Sequence, residues 1–247
     1  MREMTHSRAT RIFLPLLVLA TLLAAIGFAF HLYLGEEERL ERWIAGRHQR
    51  IDAFYHSLLQ GRTGKLEAVL ETLLLDPRWR KPLQEGDREA LMDLSTPLFE
   101  RLRRDHNVTH FYFLKPDRVS LLRVHQPARS GDRIDRITAR KAESSGRIAS
   151  GVELGPLGTL TLRVVAPLRD GDRLLGYLEL GEEVEDLCAQ IGRIYGGEDY
   201  LLLDKGLLQP EGFAEGMKML GRQVAWNRFP GFVVASAASH GERSEGW

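Results

Sequence analysis

The stretch that decides the fold runs from His110 to Gly181. It breaks into short extended segments: His110-Phe-Tyr-Phe-Leu-Lys-Pro-Asp-Arg118, Ser120-Leu-Leu-Arg-Val-His-Gln126, Thr159-Leu-Thr-Leu-Arg-Val-Val-Ala166 and Arg173-Leu-Leu-Gly-Tyr-Leu-Glu-Leu180. Successive side chains of a strand point to opposite faces of a sheet, so the alternation sorts these residues into two sets. One parity is apolar, with Leu122, Val124, Leu160, Leu162, Val164, Leu174, Leu178 and Leu180, and requires a covering layer. The other parity carries Arg123, His125, Thr161, Arg163, Tyr177 and Glu179. It is expected to floor a polar pocket, because a sheet with one core face and one face of converging charged and aromatic groups is a common small-molecule site. In the triplet Phe111-Tyr112-Phe113 one parity faces the core and Tyr112 the pocket.

Lys115-Pro-Asp-Arg118 and Arg169-Asp-Gly-Asp-Arg173 read as hairpin turns, the second more strongly because Asp-Gly favours tight hairpins. Between them, Gly131 to Arg140 reads as a loop entering a short helix, and Ile148 to Gly155 as a middle strand. This segment is expected to roof the pocket, and its Asp132 and Glu153 join the candidate ligand set.

Moving outward, Asp87 to Arg104 has helical periodicity, with Leu91, Leu94, Leu98, Phe99 and Leu102 inward and Pro97 expected to bend or split it. Before it, apolar residues from Leu40 to Leu74 recur at three- and four-residue intervals, predicting a long helix that stops at Asp76-Pro77. Earlier still, Ile12 to Leu34 lacks Asp, Glu, Lys and Arg, and as a helix it is long enough to cross about 30 Å of hydrocarbon. Arg2, Arg8 and Arg11 precede this run and Glu36, Glu37 and Glu38 follow it, which places the N-terminus in the cytoplasm and the rest outside, in the periplasm of a Gram-negative cell. On the other side of the sheet, Glu182 to Ile194 reads as a closing helix. Two strand-like runs, Tyr200 to Asp204 and Gly231 to Ala235, then flank a helical Gly212 to Leu220.

The 34 basic and 34 acidic residues cancel, so no positive stripe argues for nucleic acid. The single cysteine, Cys188, excludes an intrachain disulfide. No phosphate-cradling loop, nucleophile elbow, zinc signature or kinase or cyclase motif occurs, so the chain reads as non-enzymatic and without a cofactor. His106 and His110 have a metal-ligand spacing for a helix, but Asn107 and the strand that follows interrupt any such helix, and metal binding is not expected.

Leu122-Arg-Val-His125, Gly131-Asp132, Gly151-Val-Glu-Leu-Gly155, Gly158-Thr-Leu-Thr-Leu-Arg-Val-Val-Ala-Pro167 and Gly176-Tyr-Leu-Glu-Leu-Gly181 together resemble the double Cache periplasmic sensor domains of bacterial chemoreceptors, sensor kinases and diguanylate cyclases. Glu215 to Arg222 and Trp226-Asn-Arg-Phe-Pro230 resemble the continuation of the same group. The resemblance implies an α+β fold, with a long N-terminal helix on a PAS-like antiparallel sheet, a small extracytoplasmic ligand, and a signalling module after a second span. The division expected is a cytoplasmic N-terminus (1–11), a transmembrane helix (12–34), a stalk helix (35–76), a Cache-like ligand-binding domain (77–196) and a partial membrane-proximal module (197–247), the chain ending before its output.

The expected function is thus a membrane-anchored extracytoplasmic sensor, homodimeric through the stalk, that binds a small anionic ligand. Arg123, His125, Arg163, Tyr177, Glu179, Tyr112, Asp132 and Glu153 are the candidate contacts. Arginine offers planar, permanently charged forks suited to carboxylate or phosphate. The alternative is a tethered structural or interaction protein in which Arg163 and Arg123 pair with Glu179 and Glu153 and no pocket remains.

Overall fold

Only extended segments place every second side chain on a common face, and the alternation after His110 accordingly folds into one antiparallel sheet. In the computed structural model its strands are β1 (His110–Leu114), β2 (Ser120–Arg123), β3 (Ala149–Leu154), β4 (Leu160–Asp170) and β5 (Arg173–Glu183), in the order β2-β1-β5-β4-β3. The structure describes residues 4–155, 157–196, 200–219 and 226–237. β3 is an edge strand, whereas its place in the sequence suggested the middle. Its tight turn into β4, closed by Gly155 N–H donating to the Thr159 carbonyl at 2.8 Å, pairs it with β4 alone, and β1 takes the far side of β5.

The chain divides into two units, Met1–Ala53 and Phe54–Trp247. Helix α1 is assigned from Met4 to Leu75 and ends where Asp76 accepts a hydrogen bond from Arg78 N–H ahead of Pro77. In the first unit, Phe13–Tyr33 is the one stretch among the described residues long and apolar enough to cross a membrane, and all of it is exposed. Leu40, Trp43 and Ile44 of this unit are also exposed.

In the second unit the apolar parity of the sheet is covered by Leu66, Leu70 and Leu73 of α1, by Trp79, by Leu83 of α2 (Arg80–Glu85), and by Leu91, Phe99 and Leu102 of α3 (Arg88–His106). These pack on Phe111, Phe113, Leu122, Val124, Leu162, Val164, Leu178 and Leu180. At about 1.5 to 3 kcal/mol for each fully buried large aliphatic side chain, this layer dominates the stability of the unit. Helix α3 is capped by Asp87, which accepts from Ala90 N–H, and runs unbroken through Pro97, contrary to the expected split. One missing N–H costs less than exposing the buried Phe99 and Leu102 would.

Leu174 does not join the core as its parity predicts. Leu168 pairs with Gly176 and Arg169 with Leu174, so Leu175 is an extra residue at a bulge. Leu175 therefore enters the main core, and Leu174 is turned to the opposite face. On that opposite face lies α4 (Ile137–Ser145), whose small Ala139 and Ala142 approach Val165 and Tyr177 closely. Helix α5 (Glu185–Tyr195) follows the sheet. β6 (Tyr200–Asp204) and β7 (Phe232–Ala237) form a two-stranded sheet, and α6 (Pro210–Met219) places Phe213 and Met217 in a small core with Leu203, Val233 and Ala235. Leu154 and Leu160 of the larger sheet complete this core. Leu220 to Arg222 of the resembling segment lie outside the described residues, as do 238–247 of the expected C-terminal module.

Candidate functional site

Strand register writes the polar face of the sheet as rows. Glu153, Thr161 and Glu183 lie side by side on β3, β4 and β5. The next row is Gly151, Arg163, Gly181 and His110, and the one after it is Ala149, Val165, Glu179, Tyr112 and Arg123. Arg163 thus stands between two glycines, with no side chain directly beside it in its row. A cavity of about 470 Å³ opens above this face. Its floor includes His110, Tyr112, Arg123, His125, Arg163 and Glu183. Its walls are the loop from Gln126 to Arg136, the β3–β4 turn with Leu154, Gly155, Leu157 and Thr159, and Gly216 of α6.

The loop is positioned by its backbone. Ser120 N–H donates to the Asp132 carbonyl at 2.9 Å, Gly131 N–H to the Ser120 carbonyl at 2.8 Å and Ile134 N–H to the Arg118 carbonyl at 2.9 Å, so residues 131–134 extend the free edge of β2. This brings Asp132 opposite Arg123, whose guanidinium donates to both carboxylate oxygens at 2.7 and 2.6 Å and to the Arg129 carbonyl at 3.0 Å. Deeper in, the fully buried Glu179 accepts from Arg163 at 2.7 Å and, through both oxygens, from Arg136 at 2.6 and 2.7 Å. Glu153 accepts from Thr138 N–H at 2.7 Å, capping the first turn of α4 from the neighbouring strand, and its other oxygen lies 3.6 Å from Arg136 Nε and 3.8 Å from Arg163 Nε. Three guanidinium carbons, of Arg123, Arg136 and Arg163, sit 5.2, 5.0 and 5.9 Å from the Tyr112 ring centroid, within cation–π range.

Two imidazoles complete the floor. His110 and His125 meet edge to face with centroids 4.7 Å apart, and His125 stands 4.8 Å from Tyr112. Burial, followed by the charge of Arg163, drives the His110 pKa down to about 2. Burial also drives His125 down to about 4, with Arg123 and Arg163 adding to the shift and the Phe111 backbone opposing it. Both rings are therefore neutral at neutral pH, and the positive charge belongs to the arginines. Burial works against the charge on Arg123, but its hydrogen bonds to Asp132 outweigh this and raise its pKa, while Arg123 in turn lowers that of Asp132. The set offers fixed cationic donors, neutral ring nitrogens and an aromatic face, which is chemistry for holding an anion or polar molecule.

Of the eight sequence-predicted contacts, Tyr112, Arg123, His125, Asp132 and Arg163 line the cavity together. Tyr177 lies on the predicted face but is sealed under α4 among Tyr112, Ala139, Ala142 and Val165, and is no part of the lining. Glu153 and Glu179 stand behind the cavity, holding Arg136 and Arg163. The pairing of Arg163 with Glu179 occurs as the alternative reading has it, whereas Arg123 pairs with Asp132 and not with Glu153. His110, Arg129, Arg133, Arg136 and Glu183 also line the cavity and escaped the strand alternation. Arg129, Arg133 and Arg136 belong to the roofing loop, and Glu183 lies just past the alternating run that ends at Leu180. Among the described residues no cluster of three or more His, Cys, Asp or Glu could hold a metal ion.

A family model described as a double sensory domain of two-component sensor kinases matches residues 47–224. No curated protein matches in sequence. Similar solved structures include the domain of a sensory box/GGDEF family protein from Vibrio parahaemolyticus (17% identity, TM-score 0.47, covering 62% of this chain and 64% of that one). Another is the sensor domain of E. coli DcuS (21% identity, TM-score 0.46, 54% of this chain and 97% of that one). A third is the ligand-binding domain of the Pseudomonas aeruginosa PAO1 amino acid chemoreceptor PctC in complex with GABA (20% identity, TM-score 0.38, 63% and 68%). The chain therefore spans about 64% of the length of the Vibrio domain.

Proposed function

Since the chain belongs, through residues 47–224, to the double sensory domain family of two-component sensor kinases, we propose that it is the extracytoplasmic, membrane-anchored input of a receptor and binds a small anion in the cavity above the sheet. The observation that carries this reading is the cavity of about 470 Å³ itself, into which Arg123, Arg163 and Arg136 converge over Tyr112 with Arg129 and Arg133 at its exposed rim. Micromolar affinity requires about 8 kcal/mol, and charge-assisted hydrogen bonds supply about 1.5 to 3 kcal/mol each, so three strong guanidinium contacts reach it and two need the His110, His125 and Tyr112 rings to supply the rest. Phe13–Tyr33 is the anchor, and the exposed Leu40, Trp43 and Ile44 support pairing with a second copy through the stalk.

Calorimetry or thermal-shift screening of the full chain in detergent against organic acids, amino acids and phosphorylated metabolites tests the reading. A ligand is expected whose binding Arg123→Ala weakens about tenfold or more, the loss of one good charged contact. One observation favours a second reading, a tethered interaction protein: Arg123 and Arg163 already have carboxylate partners. A broad library without a single Arg123-dependent hit would decide for it.

A further inference from the structure

Glu182 and Glu183 are neighbours near the end of β5 and so point to opposite sides of the sheet. Glu183 lines the cavity. Glu182 is buried on the helix side, where Arg62 of α1 donates to one of its oxygens at 2.8 Å and Lys65 to the other at 2.6 Å. Arg62 also grips both oxygens of Asp186 in α5, at 2.7 and 2.6 Å, and Lys65 reaches the His106 carbonyl at the end of α3 at 2.8 Å. Most of this side of α1 packs through apolar side chains such as Leu66, Leu70 and Leu73, which can slide. Here it is held by directional, charge-assisted bonds to one strand residue.

We infer that the Arg62–Glu182–Lys65 cluster couples occupancy of the cavity to the seating of the 54–75 part of α1. This rests on the proposed ligand site and names its regulation. A strand is stiff, so an occupant that displaces Glu183 carries Glu182 with it. A buried carboxylate cannot release both cations without being left uncompensated, so the helix follows the strand. The Ser150 hydroxyl, which donates to Glu67 of α1 at 3.1 Å, ties the same helix to β3 beside Gly151 in the cavity row. An occupant shifts α1 only by its difference in affinity for the two seatings, and a change imposed on α1 alters the cavity by the same amount.

The test makes occupancy independent of affinity. In the full chain carrying Cys188→Ser and Thr159→Cys, the thiol introduced in the cavity wall is alkylated with iodoacetate to tether a carboxylate there, with mass spectrometry reporting completeness. Hydrogen exchange of the α1 amides from 58 to 72 is expected to change about threefold or more on alkylation. Glu182→Gln or, as a second variant that keeps the buried acid, Lys65→Met is expected to abolish that change while the change in peptides from 126 to 136 persists. Unaltered α1 exchange in the adduct, or an equal response with the cluster removed, overturns the inference. Anion titration of the unmodified chain reads the ligand site separately: a tethered response without free-anion binding removes the site reading and keeps the coupling, and free binding without an α1 response does the reverse.

Discussion

Replacing Glu179 by glutamine should be among the most damaging single changes in the sheet. The carboxylate is fully buried and takes three charge-assisted hydrogen bonds, one from Arg163 and two from Arg136. Added at about 1.5 to 3 kcal/mol each they would overstate the loss, because they share one group and the Arg136 side chain is 24% exposed. The better guide is the cost of breaking a buried pair from one side, about 3 to 5 kcal/mol, since a neutral amide in place of the carboxylate would leave two guanidiniums without their main acid. Arg163→Met should cost clearly less, about 1 to 2 kcal/mol, because Arg136 still neutralises Glu179 and an apolar chain replaces the buried cation. The double variant Glu179→Gln/Arg163→Met should be less unstable than the sum of the two by about 1 kcal/mol or more. Urea unfolding of the four proteins at neutral pH measures all three quantities. A Glu179→Gln loss below about 1 kcal/mol, or strict additivity, would refute the view that this network locks the roof to the floor.

Three further outcomes follow from the geometry. His110 and His125 titrate in the fold at about 2 and about 4, below their ordinary 6.5, so between those values the unfolded chain binds more protons and stability falls as the medium is acidified from about 6.5. Each group contributes a slope of about 1.4 kcal/mol per pH unit, and His125→Gln should remove one of the two slopes between pH 6 and pH 5 in urea melts. Gly216→Ala would drive a Cβ into the Leu157 carbonyl oxygen, which belongs to the backbone, so α6 should lift from the β3–β4 turn; a Trp226 fluorescence change and faster proteolysis within 200–219 would report it, with the main sheet unaffected. Alkaline phosphatase fused after residue 76 should be active in a Gram-negative host and inactive when Phe13–Tyr33 is deleted; activity without that segment would contradict its role as an anchor.

The strand run from Leu122 to Leu180 was legible because alternation with period two survives wherever one face is buried, and Leu122, Val124, Leu162 and Val164 went where it sends them. Alternation failed at Leu174, since a bulge adds one residue and nothing in Arg-Leu-Leu-Gly announces which leucine is extra. The long helix ended at the proline that marked it, and Pro97 did not split its helix because the core on either side outweighs a local break. For the site, parity found the floor residues Arg123 and Arg163. It could not say that Tyr177 would lie under a helix, nor that Asp132 would come to Arg123, because those facts depend on how an irregular loop follows a strand edge. Glu179 and Glu153 were recognised as polar members of the set. Their place behind the cavity was not readable without the positions of the guanidiniums they serve.

The glycines on either side of Arg163 have a last consequence. A methyl at Gly181 would meet the Cβ of His110 and the Cγ2 of Thr161 at 3.0 Å, whereas one at Gly151 would meet only the Cγ2 of Thr138 at an ordinary 3.4 Å. The two flanks of Arg163 therefore differ in how much they tolerate a side chain. An alanine is accommodated on the β3 flank of Arg163 and crowded on the β5 flank, with strand pairing and charge untouched at the first.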